Sequence, residues 1–498
     1  MSKFACLLKV VFLFSLCSSL LGQQPTVIYS NLPNTPTNQI PDNLGFWDTD
    51  FSFFTLNISP SGEYWLLNFQ EENTNPEVLI AGSGQVGSAV LVEGVDGFLG
   101  RTIDGIDSSG RINDAGQWVV GGDLSGSTAD DDVIVGGDLN GVSTLYAQEG
   151  AAIENDFGFG AGNTWDTLDS TAIDASGKVY WVSDGIDGPA FDSTNDEFVA
   201  TSDFTVIAQK GVDVPSNQPV KPRAYDDFDL DDLHVSSDGL QWMVRGDIGT
   251  PTIDDDCLFV NNSIVVREGI TLTEVGILDA EALTLPVDGL TGGIDQQFMA
   301  GNGDWYVFGQ LNDDETNWAI RNGVLIAASG DEIFPGANEF WDDPNSDIQD
   351  FAFLVGNSLG DYLLGGRTTA GDEVVVLNGL TEVLRSGDAV NLDGDTSSVF
   401  IDSFEFQETR LGNNGAVYSL VNFEDVNGSP IGSGFIEFFV ETVLLGDVNR
   451  DGEINLLDVA PFVELLANNE FQIEADTNQD GAVNLLDVDP FIALLAGN

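Results

Sequence analysis

From Thr26 to Leu445 the apolar residues come in short runs that alternate with polar positions or are broken by Gly, Asn and Asp, and no helical 3.6-residue period emerges. The runs recur. The segments "NISPSGEYWLL", "RINDAGQWVVGG", "AIDASGKVYWVSDG", "HVSSDGLQWMVRG", "FMAGNGDWYVFG", "FLVGNSLGDYLLGG" and "RLGNNGAVYSLVN" each set a strand-like run on either side of a turn glycine. Those glycines are Gly62, Gly116, Gly177, Gly239, Gly303, Gly360 and Gly415, spaced 54, 61, 62, 64, 57 and 55 residues apart. Downstream of the turns, pieces such as "LFVNNSIVVREG", "AIRNGVLIAASG" and "VVVLNGLTEVLRSG" read as two strands joined by an Asn- or Asp-rich turn.

Every unit thus offers four short strands. A four-stranded antiparallel unit repeated seven times predicts a mostly all-β chain, a seven-bladed β-propeller over residues 23–445 whose radial blades leave only short edges. A solenoid also satisfies the repeat, but blade-type turns and the absence of capping segments favour the ring. The seventh unit has one strand before Gly415, one in "AVYSLVNF" and one in "GFIEFFVETV", and then the pattern changes. The unassigned strand-like segment "PTVIYSN", Pro25 to Asn31, is expected to supply its fourth strand and close the ring.

After residue 445 the period changes. "GDVNRDGEINLLDVAPFVELLANN" and "ADTNQDGAVNLLDVDPFIALLAGN" agree at 15 of 24 positions, and the identities fall on acids, amides, glycine and apolar residues. Each copy carries oxygen-bearing side chains at loop positions 1, 3, 5, 9 and 12: Asp447, Asn449, Asp451, Asn455 and Asp458, then Asp476, Asn478, Asp480, Asn484 and Asp487. Glu453 and Ala482, at position 7, complete the two candidate metal sets. A hard cation such as Ca2+ takes six to eight oxygens, and a twelve-residue loop can wrap one only by turning sharply at position 6, where Gly452 and Gly481 stand. Val459, Phe462, Val463 and Leu466, and Val488, Phe491, Ile492 and Leu495, then recur at the spacing of one helix face. Pro461 and Pro490 fit only a first turn, so each helix should start near Asp458 or Asp487.

An ordinary EF-hand has a helix on each side of its loop and Glu at position 12. Here Phe435 to Val443 reads as a strand and position 12 is Asp. A duplicated loop and helix of this kind resembles the type I dockerin family, over residues 446–498. The resemblance implies a small α-helical module folded around two Ca2+ ions that docks onto a cohesin-type or cell-envelope receptor. It also implies that loop positions 10 and 11, here Leu456, Leu457, Leu485 and Leu486, contact that partner. The competing reading is that these leucines fill a small core.

Composition narrows the partners. Acids outnumber bases 82 to 15, a net charge of -67, and that field repels phosphate backbones and anionic membranes, which argues against nucleic acid. Lys3 and Lys9 precede an apolar run, Val10 to Leu21, ending in "CSSLLGQQ"; this reads as a signal peptide over residues 1–22 and an extracellular or cell-surface destination. Cys17 lacks a lipobox, because Leu16 stands where a small residue is needed. Beyond the signal peptide only Cys257 remains, so no intramolecular disulfide is available. No later stretch is apolar and long enough for a membrane span.

Candidate chemistry in the propeller is diffuse. Five aromatic and acid pairs recur 12 to 19 residues before the turn glycines: Trp47 with Asp48, Trp165 with Asp166, Tyr225 with Asp226, Trp341 with Asp342, and Phe400 with Asp402. A ring face beside a carboxylate suits a sugar at the channel mouth, whereas the alternative packs the aromatics between blades and leaves the acids to finish turns. His234, the sole histidine, falls in a predicted strand with no nucleophile motif beside it. The sequence therefore points to a secreted non-catalytic binding or assembly component that contacts a receptor and a polysaccharide. Its rival is a glycoside hydrolase, which needs only two carboxylates.

Overall fold

Seven sheets of four or more strands, antiparallel but for one short pair, follow one another along the chain in the computed structural model. It describes residues 24–47, 52–70, 76–107, 110–153, 157, 159, 161–216, 223–228, 233–249, 256–267, 278–279, 293–310, 317–341, 351–440, 445–449, 454–468, 472–477 and 483–496. The signal-peptide expectation, Cys17 included, lies outside them. Together the sheets are the blades of a seven-bladed propeller.

The repeat read from the turns is the blade. Blade 1 consists of Ser52–Ile58, Trp65–Gln70, Val78–Ser83 and Val86–Val92, hydrogen-bonded in that order. Blades 3, 5 and 6 repeat this order, while blade 2 breaks its inner strand into Arg101–Ile106 and Arg111–Ile112. Blade 4 adds a parallel pair, Leu278–Asp279, beside its outer strand Ser263–Arg267. All seven turn glycines have φ between 69° and 94°, the left-handed region open to glycine at no steric cost, which is why the repeat is visible through them. In blades 4, 5 and 6 the outer hairpin turns on Asn261, Asn322 and Asn378, with φ of 48°, 47° and 56°. Their side-chain oxygens accept from the backbone N–H of Trp242, Trp305 and Tyr362, which ties the hairpin to its second strand.

Neighbouring blades are stapled through acids that open the third strands. Glu77 accepts from Ile106 N–H (2.6 Å), Asp132 from Leu168 N–H (3.3 Å), Glu197 from Phe228 N–H (3.1 Å) and Glu373 from Phe404 N–H (2.7 Å). Each bond satisfies a backbone donor on the inner strand of the next blade or its lead-in, so blade order is written partly in acids. On the opposite face the inner turns link in a ring. Ser61 N–H donates to Asp114, Asn113 Nδ2 to the Asp174 carbonyl, Ser237 N–H to the Gly301 carbonyl and Asn414 N–H back to the Ser61 carbonyl.

The expected closure is present. Blade 7 takes its inner three strands from Phe400–Leu411, Ala416–Glu424 and Pro430–Phe439, and its outer strand is Thr26–Ser30, antiparallel to the third. Past the propeller, helices α1 (Val459–Asn468) and α2 (Val488–Leu495) start where the sequence placed them.

Candidate functional site

Inner strands converge on a central channel, and its turn-side end forms a pocket that is partly open to solvent. Asn57 of blade 1, Arg111 of blade 2, His234 of blade 4, Phe298 of blade 5 and Arg410 of blade 7 all line it. Among the described residues the inner strand of blade 7 stands apart: Glu405 to Glu408 bulge out between Phe404 and Thr409, and Gln407 sits at a φ of 64°. The bulge crosses the channel, because Gln407 Nε2 donates to the Asp295 carbonyl of blade 5 (2.7 Å), skipping blade 6. It also delivers Glu408, whose Oε2 accepts from Leu56 N–H of blade 1 (2.6 Å).

Electrostatics there follow from burial. Desolvation pushes the Glu408 carboxyl up to about 7 even though Arg410 and Arg111 pull it down. His234 is held well below its ordinary range, first by burial and then by the two guanidinium groups, so its imidazole is neutral near pH 7. Its ring lies 5.8 Å from that of Phe298 at 72°. In the sequence His234 stood out only as an isolated residue; the fold gives it charged neighbours from other blades.

The aromatic and acid pairs are built differently from a mouth. Trp47, Trp165, Tyr225 and Trp341 are all buried. Trp47 packs edge-on against Phe69 (4.3 Å), Trp165 against Trp181 (5.8 Å), Tyr225 against Phe259 (4.7 Å) and Trp341 against Phe351 (5.5 Å). Their backbones are structural too: the carbonyls of Trp165, Tyr225 and Trp341 accept from Gly150, Gly211 and Gly330, one glycine at the end of each preceding blade. In blade 7 the matching bond runs from Gly387 to Ile401, so the equivalent of the tryptophans is the buried Ile401 and not the half-buried Phe400. Asp166 and Asp226 are exposed and Asp402 half-exposed; Asp48 and Asp342 lie outside the described residues. Adjacent residues of an extended chain face opposite ways, so a buried ring and the next carboxylate cannot grip one sugar. At Trp47, Trp165, Tyr225 and Trp341 burial therefore favours the alternative, packing between blades, over a stacking platform.

In the C-terminal module the two copies meet through Phe462 and Phe491, stacked at 4.1 Å and 13°, with Val448, Ala475 and Val483 buried around them. Asp447, Asp458, Asp476 and Asp487 are buried as well. Asp458 accepts from Asn449 N–H (2.9 Å) and Asn455 N–H (2.8 Å), which folds the first loop back over itself, and Asp487 accepts from Asn484 N–H (2.8 Å) at the end of the second. Asn455 and Asn484 cap the next turn through Leu457 N–H and Leu486 N–H. Arg450 is the sole basic side chain of this segment. Four buried carboxylates in so acidic a surrounding call for a cation, and their all-oxygen donor set fits calcium.

Residues 445–495 are a dockerin type I domain. Such domains bind calcium and dock onto a cohesin partner. A comparison with curated proteins finds no match. Among solved structures, the chain is similar to the polysaccharide lyase Uly1, with 12% identity, 84% of this chain and 99% of that one covered, and a TM-score of 0.40. An oligogalacturonate lyase in complex with manganese gives 11% identity, coverages of 84% and 98%, and a TM-score of 0.38. Prolyl oligopeptidase B from Galerina marginata gives 9% identity, coverages of 76% and 49%, and a TM-score of 0.39, so the chain spans about half the length of that protein.

Within the dockerin module, Asp447, Asn449, Asn455, Asp458, Asp476, Asn484 and Asp487 are placed in the two loops. Asp451, Glu453, Asn478, Asp480 and Ala482 lie outside the described residues, as do Gly452 and Gly481. Leu456, Leu457, Leu485 and Leu486 are 81%, 67%, 82% and 67% exposed, which excludes the small-core reading in this chain. No helix among the described residues is long and apolar enough to cross a membrane.

Proposed function

We propose that this chain is a secreted binding and assembly component: residues 1–22 direct its export, residues 23–445 form the presented propeller, and residues 446–498 attach it to a cohesin-type or cell-envelope receptor. The observation that carries the reading is the pairing of opposites in each dockerin loop, where exposed Leu456 and Leu457 precede buried Asp458 and exposed Leu485 and Leu486 precede buried Asp487. Apolar side chains cost free energy in water, and a loop that holds two of them outward while burying its carboxylate is shaped for a partner surface. Two calcium ions, held by Asp447, Asn449, Asp451, Glu453, Asn455 and Asp458 and by Asp476, Asn478, Asp480, Ala482, Asn484 and Asp487, set that shape. The net charge of -67 keeps the presented propeller soluble in calcium-rich surroundings.

The test is capture of cohesin domains by the calcium-loaded full chain. Replacing Leu456, Leu457, Leu485 and Leu486 together by Ser should abolish capture with the helical circular dichroism signal retained, and chelator should release bound wild type. Undiminished capture by the quadruple variant would overturn the assignment of these leucines.

A further inference from the structure

We propose that the turn-side cavity of the propeller channel binds a small carboxylate, gripped by Arg410 and bonded by the imidazole of His234. The argument starts from donors left over. Arg410 spends Nε on Asn57 Oδ1 (3.5 Å) and Nη1 on the carbonyls of Gln407 and Thr409, while Nη2 donates to no described residue. Arg410 is within ion-pair distance of no described acid, although the charge of Glu408, whose Oε2 accepts from Leu56 N–H, attracts it. Neither ring nitrogen of His234 is bonded to a described residue, although the ring is fixed against Phe298. These groups arrive from separate blades and line one cavity.

In a chain with 82 acids and 15 bases, Arg410 brings to the channel a guanidinium from whose Nη2 no described residue accepts. A buried guanidinium with a spare N–H favours an anion beside it, and its planar fork matches the two oxygens of a carboxylate. Glu408 supplies only part of that compensation, because burial favours its neutral form. Imidazole held neutral adds a donor without adding charge, and Phe298 covers an apolar face of the ligand. Asp114, the acid at the rim, already accepts from Ser61 N–H.

The mouth limits ligand size. Gly301 is so crowded that a Cβ built there would lie 2.4 Å from Ser237 Oγ, 2.7 Å from Ser358 Oγ and 3.0 Å from the Pro60 Cβ of blade 1, so turns from four blades draw together over the cavity. The Ser237 and Ser358 hydroxyls at this constriction bond to no described residue and are placed to meet ligand hydroxyls. A short free acid and the end unit of an acidic sugar chain both carry the required chemistry.

Titration calorimetry on the calcium-loaded full chain at about 0.15 M ionic strength, where long-range attraction is screened, tests this with acetate, lactate and galacturonic acid beside acetamide and galactose. The expected result is saturation at one acid per chain, no binding by the neutral compounds, and a loss of about tenfold or more in Arg410→Gln, the scale of one charge-assisted bond. Saturation by acetate or lactate assigns a free acid, and saturation by galacturonic acid alone assigns the end of an acidic sugar chain. Should Arg410→Gln melt early, His234→Phe keeps the ring against Phe298 and should weaken binding in a folded chain. The proposal is overturned if no acid saturates the folded wild type, if neutral compounds bind equally, or if folded variants bind as wild type does.

Discussion

Val27 lies opposite Ile436 in antiparallel register, and the Val27 N–H also donates to the Asn391 carbonyl (3.0 Å) in the lead-in to blade 7. The first described strand is thereby the outer strand of the last blade, and Tyr29 anchors it between Trp47 and Phe435. Deleting Thr26–Ser30 removes an outer strand, its ladder bonds and a buried ring at once. The expected cost is about 3–5 kcal/mol, the range for losing a large buried aromatic alone, with an open edge that self-associates. Calorimetry with size-exclusion chromatography checks it; a monomer melting at the wild-type temperature would mean that the seam contributes nothing.

Trp47 and Trp341 close blade junctions, so each replaced by Ala should destabilise the chain by about 3–5 kcal/mol through an unfilled cavity. Trp165→Ala should do the same. Denaturant titration measures the loss. Wild-type midpoints in all three variants would contradict their burial and return the rings to the surface.

Most of the ring was legible because its turns demand positive φ: Gly62, Gly116 and their equivalents must be glycine for backbone reasons, and the strands follow from them. The two dockerin loops were legible for a similar reason, since a metal set needs fixed spacing. The channel was not. Arg111, His234 and Arg410 belong to different blades, and no local pattern says that inner strands will bring them together. The bulge at Glu405 to Glu408 left only a faint trace, the polar "QET" inside an otherwise strand-like run. The aromatic and acid pairs left two readings open in sequence, because a ring and its neighbouring acid in an extended segment point apart and only burial of Trp47, Trp165, Tyr225 and Trp341 favours packing between blades.

Calcium should be a folding ligand for the C-terminal module. Its buried acids have no basic neighbour in the segment but Arg450, so the isolated module should be largely unfolded in chelator and helical in millimolar calcium. At a concentration about a thousandfold above the dissociation constant, linkage contributes about 4 kcal/mol. Circular dichroism reads the helices directly, and equal helicity in both conditions would remove calcium from the account. Asp458→Ala and Asp487→Ala, which open one loop each, should each shift the calcium midpoint upward.

Propeller stability should fall as pH rises, against the common behaviour of paired carboxylates. Burial pushes Glu408 up to about 7, and it raises Glu373 and, helped by Asp169 and other nearby acids, Asp107. Unfolded carboxylates titrate near pH 4, so between about pH 4 and 7 the folded chain binds more protons than the unfolded one, and the slope of unfolding free energy with pH is negative. The stabilisation is whole below the unfolded value and is lost as pH rises through the folded one. Glu408→Gln keeps an oxygen for Leu56 N–H and imitates the protonated acid. In saturating calcium, which holds the dockerin module folded, wild-type Tm should decline from about pH 5 to about pH 8, and the variant should decline less, the two converging at the acid end. A wild-type Tm that climbs over this interval, with the variant flat, would show that Arg410 and Arg111 keep Glu408 ionised and that attraction outweighs burial in the channel.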